Sequence, residues 1–197
     1  GADKTNSGTA DITLDHVTAG ALVVANNGTT ADSDILGNVG GVLTIAGTSS
    51  FTTAASDGVI TLDSANALTG VVTLNTNSSG SSANATLDNG TTALDIAAST
   101  IGGTLTLTSG HASGIIDSGL VTVGGNLVAT TDASSGVITL DNLAVDGAFT
   151  LTPNSAGAVT IVNDAGLTLA ASTMGGTFSG TATTGDITQT GTLAITG

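Results

Sequence analysis

Four aspartates close the same tripeptide, Thr-Leu-Asp: Asp15, Asp63, Asp88 and Asp141. Recurring carboxylates can do two kinds of chemistry. A ladder of them can bind Ca²⁺, which takes about six to eight oxygen ligands. A pair can flank a glycosidic bond as acid and as base or nucleophile. Spacings of 48, 25 and 53 residues fit no calcium loop, and the Gly-Gly-x-Gly-x-Asp nonapeptide is absent. An Asp at a strand end has a simpler role, accepting hydrogen bonds from the backbone of the turn that follows. That is the role expected of these four, with weak surface cation binding at most.

The other chemical candidates are sparse. Enzymes that cut polysaccharides usually hold acidic sugars with Arg or Lys, or stack rings on aromatics. This chain has no Arg, Trp or Tyr, and its aromatics are Phe51, Phe149 and Phe178. Phe149 and Phe178 read as inward strand positions, and Phe51 as core or loop. No base, nucleophile and oxyanion donor assemble. His16 and His111 are isolated, whereas a metal site needs several converging ligands; both read as turn or surface residues. The Gly-Gly pairs are followed by neither a helix nor Lys, so they are not phosphate loops. Thr104, Thr106 and Thr108 would face outward on one strand, and flat Thr arrays on a β-solenoid can order water and bind ice. Outward Thr is also expected simply from its β propensity. The expectation is therefore no enzyme, no cofactor, and no catalytic, cofactor-binding or metal-ligating residue.

Composition points to the elements behind these residues. Among 197 residues there is one Lys, no Glu and no Cys, and the net charge is −14. Such a charge disfavours DNA, other phosphate backbones and anionic lipid as partners. Without Cys there are no disulfides or thiolate metal sites. Surface helix formers are nearly missing while Thr, Val, Ile and Gly abound, so strands are favoured over helices. No apolar run spans a bilayer. No charged segment followed by an apolar one opens the sequence, so no signal peptide is read there.

One short pattern recurs along the chain: an apolar residue, Thr, an apolar residue. Ile12-Thr13-Leu14, Leu43-Thr44-Ile45, Ile60-Thr61-Leu62, Val121-Thr122-Val123 and Val159-Thr160-Ile161 are examples. Alternation with period two puts the aliphatic pair on one face and Thr on the other. Gly precedes nearly every copy and marks a turn. Longer blocks repeat too. Residues 41–63 match 119–141 at thirteen of 23 positions, including Gly-Val-Ile-Thr-Leu-Asp at 58–63 and 136–141. Residues 94–104 resemble 167–177 at the different offset of 73. Blocks duplicated at changing offsets indicate an array of coils of varying length.

A register follows from the glycines. One step falls at Gly103, Gly125, Gly147 and Gly176, the other at Gly114, Gly136, Gly157 and Gly185, with an insertion expected before the last of each. Earlier steps are expected near Gly20, Gly41 and Gly70. This is the pattern of an all-β, single-stranded parallel β-helix of about seven to nine coils, a rod of roughly 35–45 Å. In that register the two Gly-Val-Ile-Thr-Leu-Asp copies fill one column three coils apart, with Thr61 and Thr139 on one outer face. Lys4 is expected outside the regular stack. The expected organisation is one continuous solenoid domain over 1–197, a segment of a longer array.

Residues 183–197 (TTGDITQTGTLAITG) and 122–152 resemble the repeat region of filamentous-haemagglutinin-like exoproteins, large bacterial adhesins secreted by the two-partner pathway. The resemblance implies a right-handed β-helical shaft at the bacterial surface or outside the cell. It implies attachment or filament and biofilm formation, as part of a longer parent protein. Expected partners are neighbouring solenoid segments or subunits end to end and a surface receptor, with no nucleic acid and no membrane insertion. Without Arg there is no Arg-Gly-Asp motif, and no functional residue transfers. Two other functions fit the same fold: ice binding on a Thr-rich face, and polysaccharide degradation.

Overall fold

A computed structural model describes residues 2–6, 10–30 and 33–197, and of the first strand's side chains only Lys4 and Thr5. The described residues form 25 strands and no helix. β1 (Ala2–Asn6) underlies a first coil of β2 (Ile12–Leu14), β3 (Val17–Ala19) and β4 (Leu22–Asn26). Four three-sided coils follow. They are β5 (Ile35–Gly37), β6 (Leu43–Ile45), β7 (Ser49–Thr53); β8 (Ile60–Leu62), β9 (Ala67–Leu68), β10 (Val72–Asn75); β11 (Ala85–Asp88), β12 (Leu94–Ile96), β13 (Ser99–Ile101); and β14 (Leu105–Ser109), β15 (Ile115–Asp117), β16 (Val121–Val123). β17 (Leu127–Thr131) is followed by β18 (Ile138–Val145), which pairs with both β15 and β16 and so supplies two sides. The chain continues through β19 (Ala148–Thr152), β20 (Val159–Asn163), β21 (Leu167–Leu169), β22 (Ser172–Met174), β23 (Phe178–Ala182), β24 (Ile187–Gln189) and β25 (Leu193–Ile195).

Strands one coil apart pair in parallel. One sheet, β2-β5-β8-β11-β14-β17-β19-β21-β24, is an unbranched run of nine strands, beside an 11-stranded sheet that branches at β10 and β18. The stack makes about eight turns, roughly 40 Å at about 4.8 Å per coil. Aliphatic side chains fill the interior, because each short strand can bury its apolar pair only against the coils above and below. Ile12, Ile35, Ile60, Ala85, Leu105, Leu127 and Phe149 form one inward column. Phe51 and Phe149 are fully buried, and Phe178 packs against the core from a half-buried position. Tight corners stack backbone on backbone. Gly125 N–H donates to Gly103 and Gly147 N–H to Gly125, both at 3.0 Å. A Cβ on Gly125 would come within 2.7 Å of the Gly103 backbone.

Ser49 breaks the inward pattern. It lies between Leu22 and Val72, and its hydroxyl is buried without a hydrogen-bond partner. Relieving a buried unsatisfied hydroxyl is favourable by about 1 kcal/mol. Ser49→Ala is therefore expected to raise stability by about that amount, read as a higher denaturation midpoint.

The coils are not uniform, because a side is lost and another gained at two levels. The side β3-β6-β9 ends at the buried Asn89 instead of at a fourth strand. Asn89 Oδ1 accepts Leu68 N–H (2.9 Å), and Asn89 Nδ2 donates to Leu68 O (3.0 Å) and Ala93 O (2.9 Å). One amide thus completes the ladder of the strand below. At the same level β10 pairs with both β12 and β13. The new corner is held by Ser99, whose Oγ accepts Leu74 N–H and donates to Ala97 O.

The device recurs 74 residues later. Asn163 Oδ1 accepts Val145 N–H (2.8 Å), and its Nδ2 donates to Val145 O (3.0 Å) and Gly166 O (2.8 Å). Ser172 Oγ accepts Leu151 N–H and donates to Ala170 O, where β19 gives way to β21 and β22.

These junctions correct the sequence register. Gly103, Gly125 and Gly147 do share a corner. Gly176, however, packs on Ala156 and Gly157, and Gly185 packs on Gly166. There is no insertion before them: Val159 pairs with Phe178, an advance of only 19 residues. The chain has shifted by one side. For the same reason Ile60–Leu62 and Ile138–Leu140 lie in different sheets, so Thr61 and Thr139 do not share a face. Gly20, Gly47 and Gly70 form one early corner, to which Gly41 does not belong. Lys4 lies within the stack: β1 pairs along β4, and Lys4 sits opposite the buried Val24 with its own side chain exposed.

Candidate functional site

The four Thr-Leu-Asp carboxylates do not act alike. Asp88 caps its own turn as expected, its Oδ1 accepting Gly90 N–H at 2.8 Å. Asp15 Oδ1 lies 2.9 Å from His16 Nδ1, with both side chains exposed. The Asp63 and Asp141 side chains are exposed and make no hydrogen bond to the described residues. The capping falls largely to other residues. Asp11 Oδ1 accepts Asp34 N–H, Asp34 Oδ1 accepts Val59 N–H, Asn84 Oδ1 accepts Thr104 N–H, and Asn126 Oδ1 accepts Ala148 N–H. Each immediately precedes a strand of the nine-stranded sheet and holds the backbone of the coil above. Their position, one residue before an apolar-x-apolar triplet, is the sequence signal that could have found them.

Asp117 also staples coils together. Its two carboxylate oxygens accept the N–H groups of Asp141 and Asn142, each at 2.9 Å. Burial pushes its pKa above the ordinary carboxylate value; the two N–H donors oppose the rise and the Asp141 charge adds to it. Folded protein therefore keeps this proton where the unfolded chain has lost it. Its contribution to stability is fully present below the ordinary value and is lost as pH rises through the raised one. Asp117→Asn is expected to remove this part of the slope, which urea midpoints measured across the acid range would reveal.

His111 lies exposed in a turn, its Nδ1 accepting Ser113 N–H. Among the described residues no group of three or more His, Cys, Asp or Glu could hold a metal ion. The outward face of the nine-stranded sheet carries two Thr-rich columns. One runs Thr61, Thr86, Thr106, Val128, Thr150; the other runs Asp88, Thr108, Thr130, Thr152. An open groove of about 170 Å³ lies where the side containing β13 and β16 ends. Leu120, Leu143 and Val162 contribute its apolar surface, and Asp141 and Asp164 its carboxylates.

The two Asn–Ser junctions divide the chain into equivalent blocks. β11 to β16 correspond strand for strand to β20 to β25, at offsets falling from 74 to 72. The family model described as Repeats of unknown function (DUF5649) matches residues 2–75, 82–155 and 156–197. The chain belongs to that family. Its unit boundaries fall in the turns after β10 and β19, so a full unit is about three coils plus one side. That extra side is why each DUF5649 unit begins one face further round. Ile60–Leu62 and Ile138–Leu140 are equivalent positions of two units, carried to different faces by this rotation. No curated protein and no solved structure matches the chain.

Proposed function

We propose that this chain is a shaft segment of a bacterial cell-surface or secreted fibrous adhesin, serving attachment or filament and biofilm formation. The observation that carries the reading is the continuous inward column of aliphatic side chains, which runs through both unit junctions. Nearest-neighbour stacking of this kind makes a stiff, extendable body. The resemblance of residues 122–152 and 183–197 to filamentous-haemagglutinin-like repeats supports a location at the cell surface or outside the cell. The role is non-enzymatic, and the natural partners are further solenoid segments end to end and a surface receptor. Antibody against the chain should label intact cells, and loss of the gene should reduce attachment. Label confined to the cytoplasm, with attachment unchanged, would overturn the proposal.

The paired Thr columns favour one second reading, ice binding. Its test is thermal hysteresis, with Thr108→Leu and Thr130→Leu expected to abolish it. Absence of hysteresis in the unaltered protein sinks this reading and leaves the shaft untouched.

A further inference from the structure

We propose that the groove at the second unit junction binds a lysine or arginine side chain from a basic segment of a partner protein. The groove exists because the side carrying β13 and β16 stops at Asn163, leaving the coil above without a strand there. Its apolar wall is real surface: Leu120 is 47% exposed beside the more buried Leu143 and Val162. Its carboxylates, Asp141 and Asp164, are exposed and have no side-chain hydrogen bond to the described residues. An aliphatic floor ending in carboxylates matches a side chain that lies its methylene stem on apolar surface and carries a cation at its tip.

Charge complementarity selects the occupant. The chain carries −14 with Lys4 as its sole lysine and no arginine, and Lys4 belongs to β1 at the far end of the stack from Asp164. The ion pair formed among the described residues is His16 with Asp15, on the first coil. A second copy would bring the same excess of negative charge, so a homotypic partner is disfavoured. The first unit junction makes an internal contrast. There Asp88 stands in place of Val162 and Gly90 in place of Asp164, and the Asp88 carboxylate is already bonded to Gly90 N–H. The second junction instead presents an aliphatic floor with unengaged carboxylates.

The test uses the whole chain, isotope-labelled, titrated with a short Gly/Ser peptide containing two lysines and with its acetyl-lysine counterpart. Amide shifts are expected at Leu120, Asn142, Leu143 and Asp164 with the lysine peptide only. The double variant Asp141→Asn, Asp164→Asn should weaken binding about tenfold, as expected for loss of close charge pairs. Asp57→Asn with Asp132→Asn removes equal charge at distant turns and should leave affinity nearly unchanged. The proposal is overturned by equal weakening in both double variants, which means general attraction. Equal binding of the acetyl-lysine peptide, shifts elsewhere, no binding, or displacement of the peptide by calcium ions at the same residues would overturn it too.

Discussion

Asn163→Leu is expected to destabilise the protein by about 3–6 kcal/mol, although leucine is nearly the same size and the site is apolar on most sides. The reason is the backbone it serves. Removing the amide strands Val145 N–H and Val145 O in the interior and leaves Gly166 O open at a partly buried edge. Each buried group left without a partner costs about 1–3 kcal/mol. Asn163→Asp keeps an acceptor for Val145 N–H but turns a charge toward two carbonyl oxygens, so it should be at least as damaging. Asn89→Leu should behave similarly through Leu68 and Ala93. An outward control, Thr106→Leu, should stay within about 0.5 kcal/mol. Because repeat arrays unfold by segments, the loss should be local. In Asn163→Leu, hydrogen exchange should quicken first in β20 to β25, while β2 to β10 stay protected. A uniform change across the chain, or a loss no larger than the control's, would count against the amide as the junction.

The sequence makes the strands readable because aliphatic-Thr-aliphatic triplets separated by Gly have one economical solution, a stack of parallel coils. It does not make the side occupied by each strand readable. Ile60-Thr61-Leu62 and Ile138-Thr139-Leu140 are chemically identical, so nothing within them states which face they join. Counting from Gly to Gly carries the count through Asn89 and Asn163 as though a strand stood there, and the register slips by one side. The slip was visible indirectly, because the block offsets of 78 and 73 are not whole multiples of the 22-residue coil that separates Gly103 from Gly125. A single polar residue replacing a strand leaves no period to detect. The same applies to the surface chemistry. Asp141 ends a repeated phrase and so looks like a turn residue, yet its carboxylate caps nothing. Asp117 ends β15 without any repeat to mark it, and it holds the corner above.

Two deletions of nearly equal size should have opposite outcomes. Removing residues 105–126 joins Thr104 to Leu127 and takes out one coil inside a unit. The coils brought together already share a register: Ala85 comes to face Leu127 through the position of Leu105, and Leu94 comes to face Ile138 through that of Ile115. That variant should fold, with a modest fall in stability, as a shorter array does. Removing residues 85–104 joins Asn84 to Leu105 and takes out the coil that contains Asn89 and Ser99. The aliphatic columns would still meet, since Ile60 would face Leu105. Leu68 would lose both partners of its backbone, and Leu74 N–H its acceptor. Three buried groups left open cost about 3–9 kcal/mol, a large share of the stability of most domains. This variant should be unfolded or aggregated where the first is folded. Ser109 and Val121 occupy the positions that Asn89 and Ser99 vacate, one coil higher. Ser109→Asn with Val121→Ser in the second deletion should therefore recover cooperative unfolding by circular dichroism. If both deletions melt alike, or the two substitutions rescue nothing, apolar stacking alone sets the architecture and the Asn–Ser junctions do not.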